Sequence, residues 1–176
     1  LLAKKVAKIW ARPEGVKYVP SEEIDTGELS PKERGDLRFD YWSGLLKTVK
    51  DRNFLQELPD STRLGFLMFH PGWEGVRLFA YAEKWNNTVG VYLRFRKKRA
   101  KKVYRKIFEM KDAINEKFGK QSCWWQDNPK NDNAYVGVAL TGVEPVNREQ
   151  WEQQHRWLTE KLEEFYRYFD PLLKEV

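Results

Sequence analysis

Cysteine is almost absent from this chain: Cys123 is the only one in 176 residues, so no intrachain disulfide can form. Histidine is nearly as scarce, with only His70 and His155. One thiol and two imidazoles without clustered spacing argue against a zinc-type site, so neither a metal nor a cofactor is expected. No window approaches the ~20 apolar residues of a membrane span, and no membrane partner is expected. No secretory leader pattern is present, and together with the free thiol this favours a reducing, cytoplasmic setting. A glycine-rich, phosphate-cradling loop is missing as well. The chain opens Leu1-Leu2 without an initiator methionine, which points to a piece cut from a longer protein.

What is present is core-forming material. Hydrophobic residues make up 41%, with eight Trp, eight Tyr and ten Phe. A chain of this length suits one domain and buries roughly two thirds of its unfolded surface. Net charge is +6, a moderate basic excess whose distribution matters more than its sum.

Residues 1–35 read as an N-terminal arm or linker. Leu2, Val6 and Ile9 alternate with Lys4, Lys5 and Lys8, after which Pro13, Gly15, Pro20, Gly27, Pro31 and Gly35 punctuate a charged stretch. A single domain over 36–176 is predicted to start at Asp36 as an N-cap. Phe39, Trp42, Leu45, Leu46 and Val49 recur at helical steps. Leu64–Phe69, Val76–Glu83 and Thr88–Arg96 read as strands, the last two joined by an Asn86-Asn87 hairpin turn. Val103, Ile107, Met110, Ile114 and Phe118 predict one helix ending at Gly119. Strands follow near Cys123–Gln126 and Tyr135–Thr141. A last helix, capped by Asn147, turns Trp151, His155, Leu158, Leu162, Phe165 and Phe169 inward. The expected fold is α+β: a mostly antiparallel sheet of about five strands, in the order α-β-β-β-α-β-β-α, with helices packed on one face.

The run 147–165 resembles the closing helix of the family called domain of unknown function 4268. Arg148, Trp151, His155, Trp157, Leu158, Leu162, Glu163 and Phe165 stand at the positions where its members carry Arg, Trp, His, Trp-Leu, Leu-Glu and Phe. Val89–Leu93, Trp125-Gln126, Pro129-Lys130 and Phe39–Leu46 are similar to its strand, loop and opening helix, so the resemblance spans roughly 36–176. It implies a domain that follows a restriction-endonuclease-like nuclease domain, in a prokaryotic DNA-handling or defence context. The chain departs from that pattern at Ala134-Tyr135-Val136 and in the basic stretch Arg94–Lys106.

Catalytic chemistry finds little to work with. A nuclease of that kind needs an Asp and a Glu-x-Lys around a metal. The nearest match, Glu109-Met110-Lys111, sits mid-helix with Met110 on the stripe predicted to be buried. His155 reads as a packed histidine on an apolar face, and His70 as a hydrogen-bonding turn residue. Trp73 and Trp85 fall in turns, where an exposed indole would suit a partner contact.

Charge is the stronger signal. Arg94, Arg96, Lys97, Lys98, Arg99, Lys101, Lys102, Arg105 and Lys106 place nine cations in thirteen residues with no acid among them. With a two-residue turn, Tyr81 would face Tyr92, Phe79 would face Arg94 and Arg77 would face Arg96. All six would share one exposed side of the sheet. Val91, Leu93, Phe95, Leu78, Ala80 and Ala82 would fill the opposite, core side. The reading is a non-catalytic nucleic-acid-binding accessory domain beside a nuclease or other effector. Arg77, Arg94 and Arg96 would meet phosphate, Lys97, Lys98, Arg99, Lys101 and Lys102 would widen the field, and Phe79, Tyr81 and Tyr92 would stack on bases. DNA and RNA are equally compatible. The alternative is a homodimer, or contact with an upstream nuclease-like domain, through the aromatic sheet face.

Overall fold

The computed structural model describes residues 29–84, 86–128 and 132–174. The first helix, α1 (Pro31–Arg52), starts five residues before the predicted Asp36. Ser30 caps it: its hydroxyl accepts from the Glu33 N–H at 3.2 Å, while Glu33 accepts from the Ser30 N–H at 2.7 Å. This reciprocal box with proline at the first helical position satisfies two orphan donors at once, so 31–35 belong to the helix. The predicted arm before it, and with it Trp85 and Pro129-Lys130, lies outside the described residues. Helix α1 buries Tyr41, Trp42, Leu45 and Val49, whereas Phe39 is 40% exposed beneath the Arg63 guanidinium.

Five strands follow: β1 (Phe66–Phe69), β2 (Val76–Glu83), β3 (Thr88–Arg96), β4 (Cys123–Asp127) and β5 (Asn133–Thr141). They form one antiparallel sheet in the order β1-β2-β3-β5-β4. Between β3 and β4 run α2 (Lys97–Glu109) and α3 (Lys111–Phe118), and the described chain closes with α4 (Trp151–Lys174). The fold is therefore α+β in the expected order, with one predicted helix split in two. The break falls at Met110 (φ −94°, ψ 12°) and turns that residue out to 39% exposure, while Ile107 and Ile114 stay buried on either side.

Side-chain alternation gives the sheet two faces. On one, Leu78, Ala80, Val91, Leu93, Phe95, Val136 and Val138 meet the apolar sides of the helices in the main core. On the other, Phe79, Tyr81, Tyr92, Trp124, Tyr135 and Ala139 form a second buried cluster. Two glycines let these rings lie flat. A Cβ at Gly90 would stand 2.4 Å from the Tyr81 ring, and one at Gly137 would stand 2.6 Å from Trp124.

Gly90→Ala should therefore destabilise the domain by about 1–3 kcal/mol in urea unfolding, the range for overpacking a filled site. Gly65→Ala, whose added methyl would have Ala82 O as its nearest neighbour at 3.8 Å, should stay within about 0.5 kcal/mol of the parent.

Candidate nucleic-acid interface

The hairpin that was to form the binding platform is built with a shifted register. Glu83 pairs with Thr88, so the loop holds four residues rather than two, with Asn87 in the left-handed region (φ 46°). Two extra loop residues slide the pairing by two, which changes partners and preserves faces. Arg77 now faces Arg94, Phe79 faces Tyr92 and Tyr81 faces Gly90.

The expectation that this face is open is corrected by burial. Phe79, Tyr81 and Tyr92 are 1%, 5% and 7% exposed, leaving no free ring face for a base. Phe79 and Tyr92 stack at 4.6 Å with 3° between planes, and Tyr92 also touches Trp124 and Tyr135. Burial, joined by the nearby Glu83 carboxylate, pushes the Tyr81 hydroxyl well above its ordinary range. Burial also raises the carboxyl of Glu83, against the opposing hydrogen bond from Asn86.

Two facing arginines need an explanation, since like charges directly opposite are unfavourable. Each is engaged within the fold, although the buried Nε of Arg94 has no hydrogen-bond partner among the described residues. Arg77 curls back to donate to the Trp73 and Val76 carbonyls at 3.1 and 2.8 Å. Arg94 lays its guanidinium over the Phe79 ring, 4.8 Å from the centroid, a cation–π contact that needs no acid. Lys101 is likewise taken up: its ammonium sits 2.6 Å from Asp127 and 2.8 Å from the Asn128 carbonyl, with its side chain 10% exposed.

Helix α2 holds the rest of the basic run. It packs Ala100, Val103, Tyr104 and Ile107 on the sheet, so its opposite side faces solvent. That outer side carries Lys98, Lys102, Arg105 and Lys106, all exposed and, among the described residues, without an acidic partner. Arg96, Lys97 and Arg99 are exposed at its start, Arg99 pairing with Glu74 at 3.0 Å. No side chain caps the helix and no acid stands in its first turn. Lys97 is held in the left-handed region (φ 74°), its N–H donating to Asp132 O at 2.9 Å. Arg96 N–H is fixed by Gly75 O at 2.8 Å. Arg105 and Lys106, within the basic run but not assigned a role from sequence, join this face through the i, i+3, i+4 spacing that follows Lys98 and Lys102.

Chemistry of the catalytic kind is not assembled elsewhere among the described residues. The thiol of Cys123 is pushed up to about 11 by burial, which suppresses its nucleophile. His155 is 6% exposed against Tyr41 and Trp151. Burial brings its imidazolium down to about 4, against an opposing hydrogen bond to the Tyr41 backbone. His70 is exposed and makes no side-chain hydrogen bond among the described residues. Trp73, expected outside, is 3% exposed. Its indole donates to Asp170 at 2.9 Å and stacks on Tyr166, pinning the β1–β2 turn to α4. A groove of about 600 Å³ runs between α1 and residues 53–59, and a pocket of about 50 Å³ lies beside Tyr41 and Ala82. Neither is lined by a carboxylate, histidine or cysteine. No helix among the described residues is long and apolar enough to cross a membrane.

These features define a small α+β sheet domain whose distinctive surface is one cationic helix. A family model, Domain of unknown function (DUF4268), matches residues 37–173, and the chain belongs to that family. No curated protein and no solved structure matches the chain at a significant level.

The buried histidine makes a pH prediction. His155 is neutral in the fold down to about pH 4, whereas in the unfolded chain it takes a proton near its ordinary 6.5. The unfolded state thus binds more protons between those values, so stability falls as pH drops from about 6.5 towards 4. Urea unfolding at neutral pH and near pH 4.5 should show His155→Gln losing less than the parent, by of order 2 kcal/mol.

Proposed function

We propose that the outer face of α2 binds nucleic acid through its phosphates, and that the domain is a non-catalytic accessory module. The observation that carries this reading is the set of four exposed cations, Lys98, Lys102, Arg105 and Lys106, with no acid paired to them among the described residues. Arg96, Lys97 and Arg99 extend the field to the start of the helix, which no side chain caps and where the positive end of the helix dipole adds to its pull on an anion.

Strain supports the reading. A lysine in the left-handed region costs about 1–2 kcal/mol relative to an ordinary conformation, and glycine would remove that cost. Strain of this kind clusters at binding surfaces. The nuclease partner and the prokaryotic defence setting enter through the family resemblance, the cytoplasmic setting through the free thiol and the absence of a secretory leader pattern, and all are part of the proposal.

Fluorescence anisotropy with a labelled oligonucleotide tests it. The parent should bind with log affinity falling against log salt at a slope of about −2 to −3, as expected for three or four phosphate contacts on a single strand. Lys98→Glu, Lys102→Glu, Arg105→Glu together should weaken binding about ten-fold or more and flatten that slope. An affinity insensitive to salt, or unchanged in this variant, would refute the proposal. Lys97→Gly should raise stability by up to about 1 kcal/mol in urea while lowering affinity.

A further inference from the structure

One aromatic does stand free beside the cationic face. Phe108 is 43% exposed at the last turn of α2, two and three residues beyond Lys106 and Arg105. Its ring is held at a fixed angle by Trp125, edge-on at 5.5 Å and 86°, and by Tyr104 at 6.0 Å. Trp125 is itself anchored, its indole donating to Asn115 Oδ1 at 2.8 Å. Met110, at the helix break, is 39% exposed. Among the described residues, the Lys111 ammonium lies over the Phe108 ring, 5.1 Å from its centroid. Among the described residues Lys111 has no acidic partner, so its flexible stem is free to give way.

Resting on the nucleic-acid reading of α2, we infer that Phe108 is a base-stacking contact and that the ligand is single-stranded. The geometry separates it from a duplex. A duplex offers phosphates to Lys102, Arg105 and Lys106 but keeps its base faces inside the stack, which would leave Phe108 against backbone. An unpaired strand offers the same phosphates and open π-faces together. A base settling on Phe108 displaces the Lys111 ammonium, which then has a phosphate to meet. Rigid support from Trp125 lowers the entropy lost when the base stacks.

The test compares Phe108→Ala and Phe108→Trp with the parent. The probes are a labelled oligothymidylate of about 16 nucleotides, within the site size of such surfaces, and a duplex of equal length. Because Phe108 is exposed, Ala should leave the fold intact, which thermal melting checks. Ala is expected to weaken the single strand about five-fold or more, the lower bound for a lost base–aromatic stack, and the duplex less than about two-fold. Trp is expected to keep single-strand affinity. If Ala leaves oligothymidylate binding unchanged while the parent still binds both probes, this inference falls and the phosphate-binding face stands. Equal losses on both probes also overturn it. If the parent binds neither probe but binds phosphatidylserine vesicles, through its cations with Phe108 inserted, both readings fall.

Discussion

Strand β3 has to satisfy two cores at once, and much of the molecule follows from that. It pairs with β2 on one side and β5 on the other, so it has no free edge. Val89, Val91, Leu93 and Phe95 face the helices, while Gly90 and Tyr92 face the aromatic layer. A strand buried on both faces tolerates no slip, because a one-residue shift would exchange the two sets. Its end is fixed just as firmly. Gly75 O and Asp132 O hold the N–H groups of Arg96 and Lys97, and the chain leaves the sheet through a left-handed residue directly into α2. The direction of that helix, and so which cations point outward, is set at this junction.

The second organising contact is the seam between α1 and α4. Asp40 meets Arg148 in the turn leading into α4, Tyr41 donates to Gln154, Gly44 lies under His155, Thr48 meets the Thr159 hydroxyl and Arg52 pairs with Glu163. Both series run upward in sequence, so the helices lie side by side in the same direction. A Cβ at Gly44 would stand 2.7 Å from the His155 ring, which makes the glycine a condition of that approach. Arg148, Trp151, His155 and Glu163 are among the residues that carry the family resemblance. In this structure they dock one helix on another: Arg148 lies over the Trp151 ring at 4.5 Å, and Trp151 packs on Tyr41. The family pattern of this helix therefore describes how the fold is held, not a reaction.

That distinction explains what was legible in the sequence. Periodicity located the five strands to within about two residues and the helices more coarsely, α1 starting five residues early and one predicted helix proving to be two, because alternation and helical stripes are imposed locally by burial. Which hairpin residues share a face was also legible, since the error in loop length was even. Their exposure was not. Alternation on β2 and β3 carries large apolar rings on both sides, and nothing local to Phe79, Tyr81 and Tyr92 states that Trp124 and Tyr135 of β4 and β5 join them in a second buried cluster. Gly90 and Gly137 were the available signal, for a glycine inside a strand marks a close approach. Met110 failed for a similar reason: a helical stripe predicts burial only while the helix stays continuous.

The same comparison sorts the basic residues into two kinds. Arg77, Arg94 and Lys101 are engaged by carbonyls, a ring face and a carboxylate, and replacing any of them would first disturb the fold. On α2 the balance is reversed. Lys98 and Lys102, Lys102 and Arg105, and Lys102 and Lys106 stand at i, i+3 or i, i+4, each pair costing about 0.2–0.5 kcal/mol. Cations in the first turn oppose the helix dipole by about 0.3–1 kcal/mol each. These costs are outweighed by burying Val103, Tyr104 and Ile107, at about 1.5–3 kcal/mol apiece for such side chains. The helix forms because of its inner face and in spite of its outer one. Stability alone would favour a few glutamates among those lysines, so the uninterrupted charge is the part of this surface that folding does not account for.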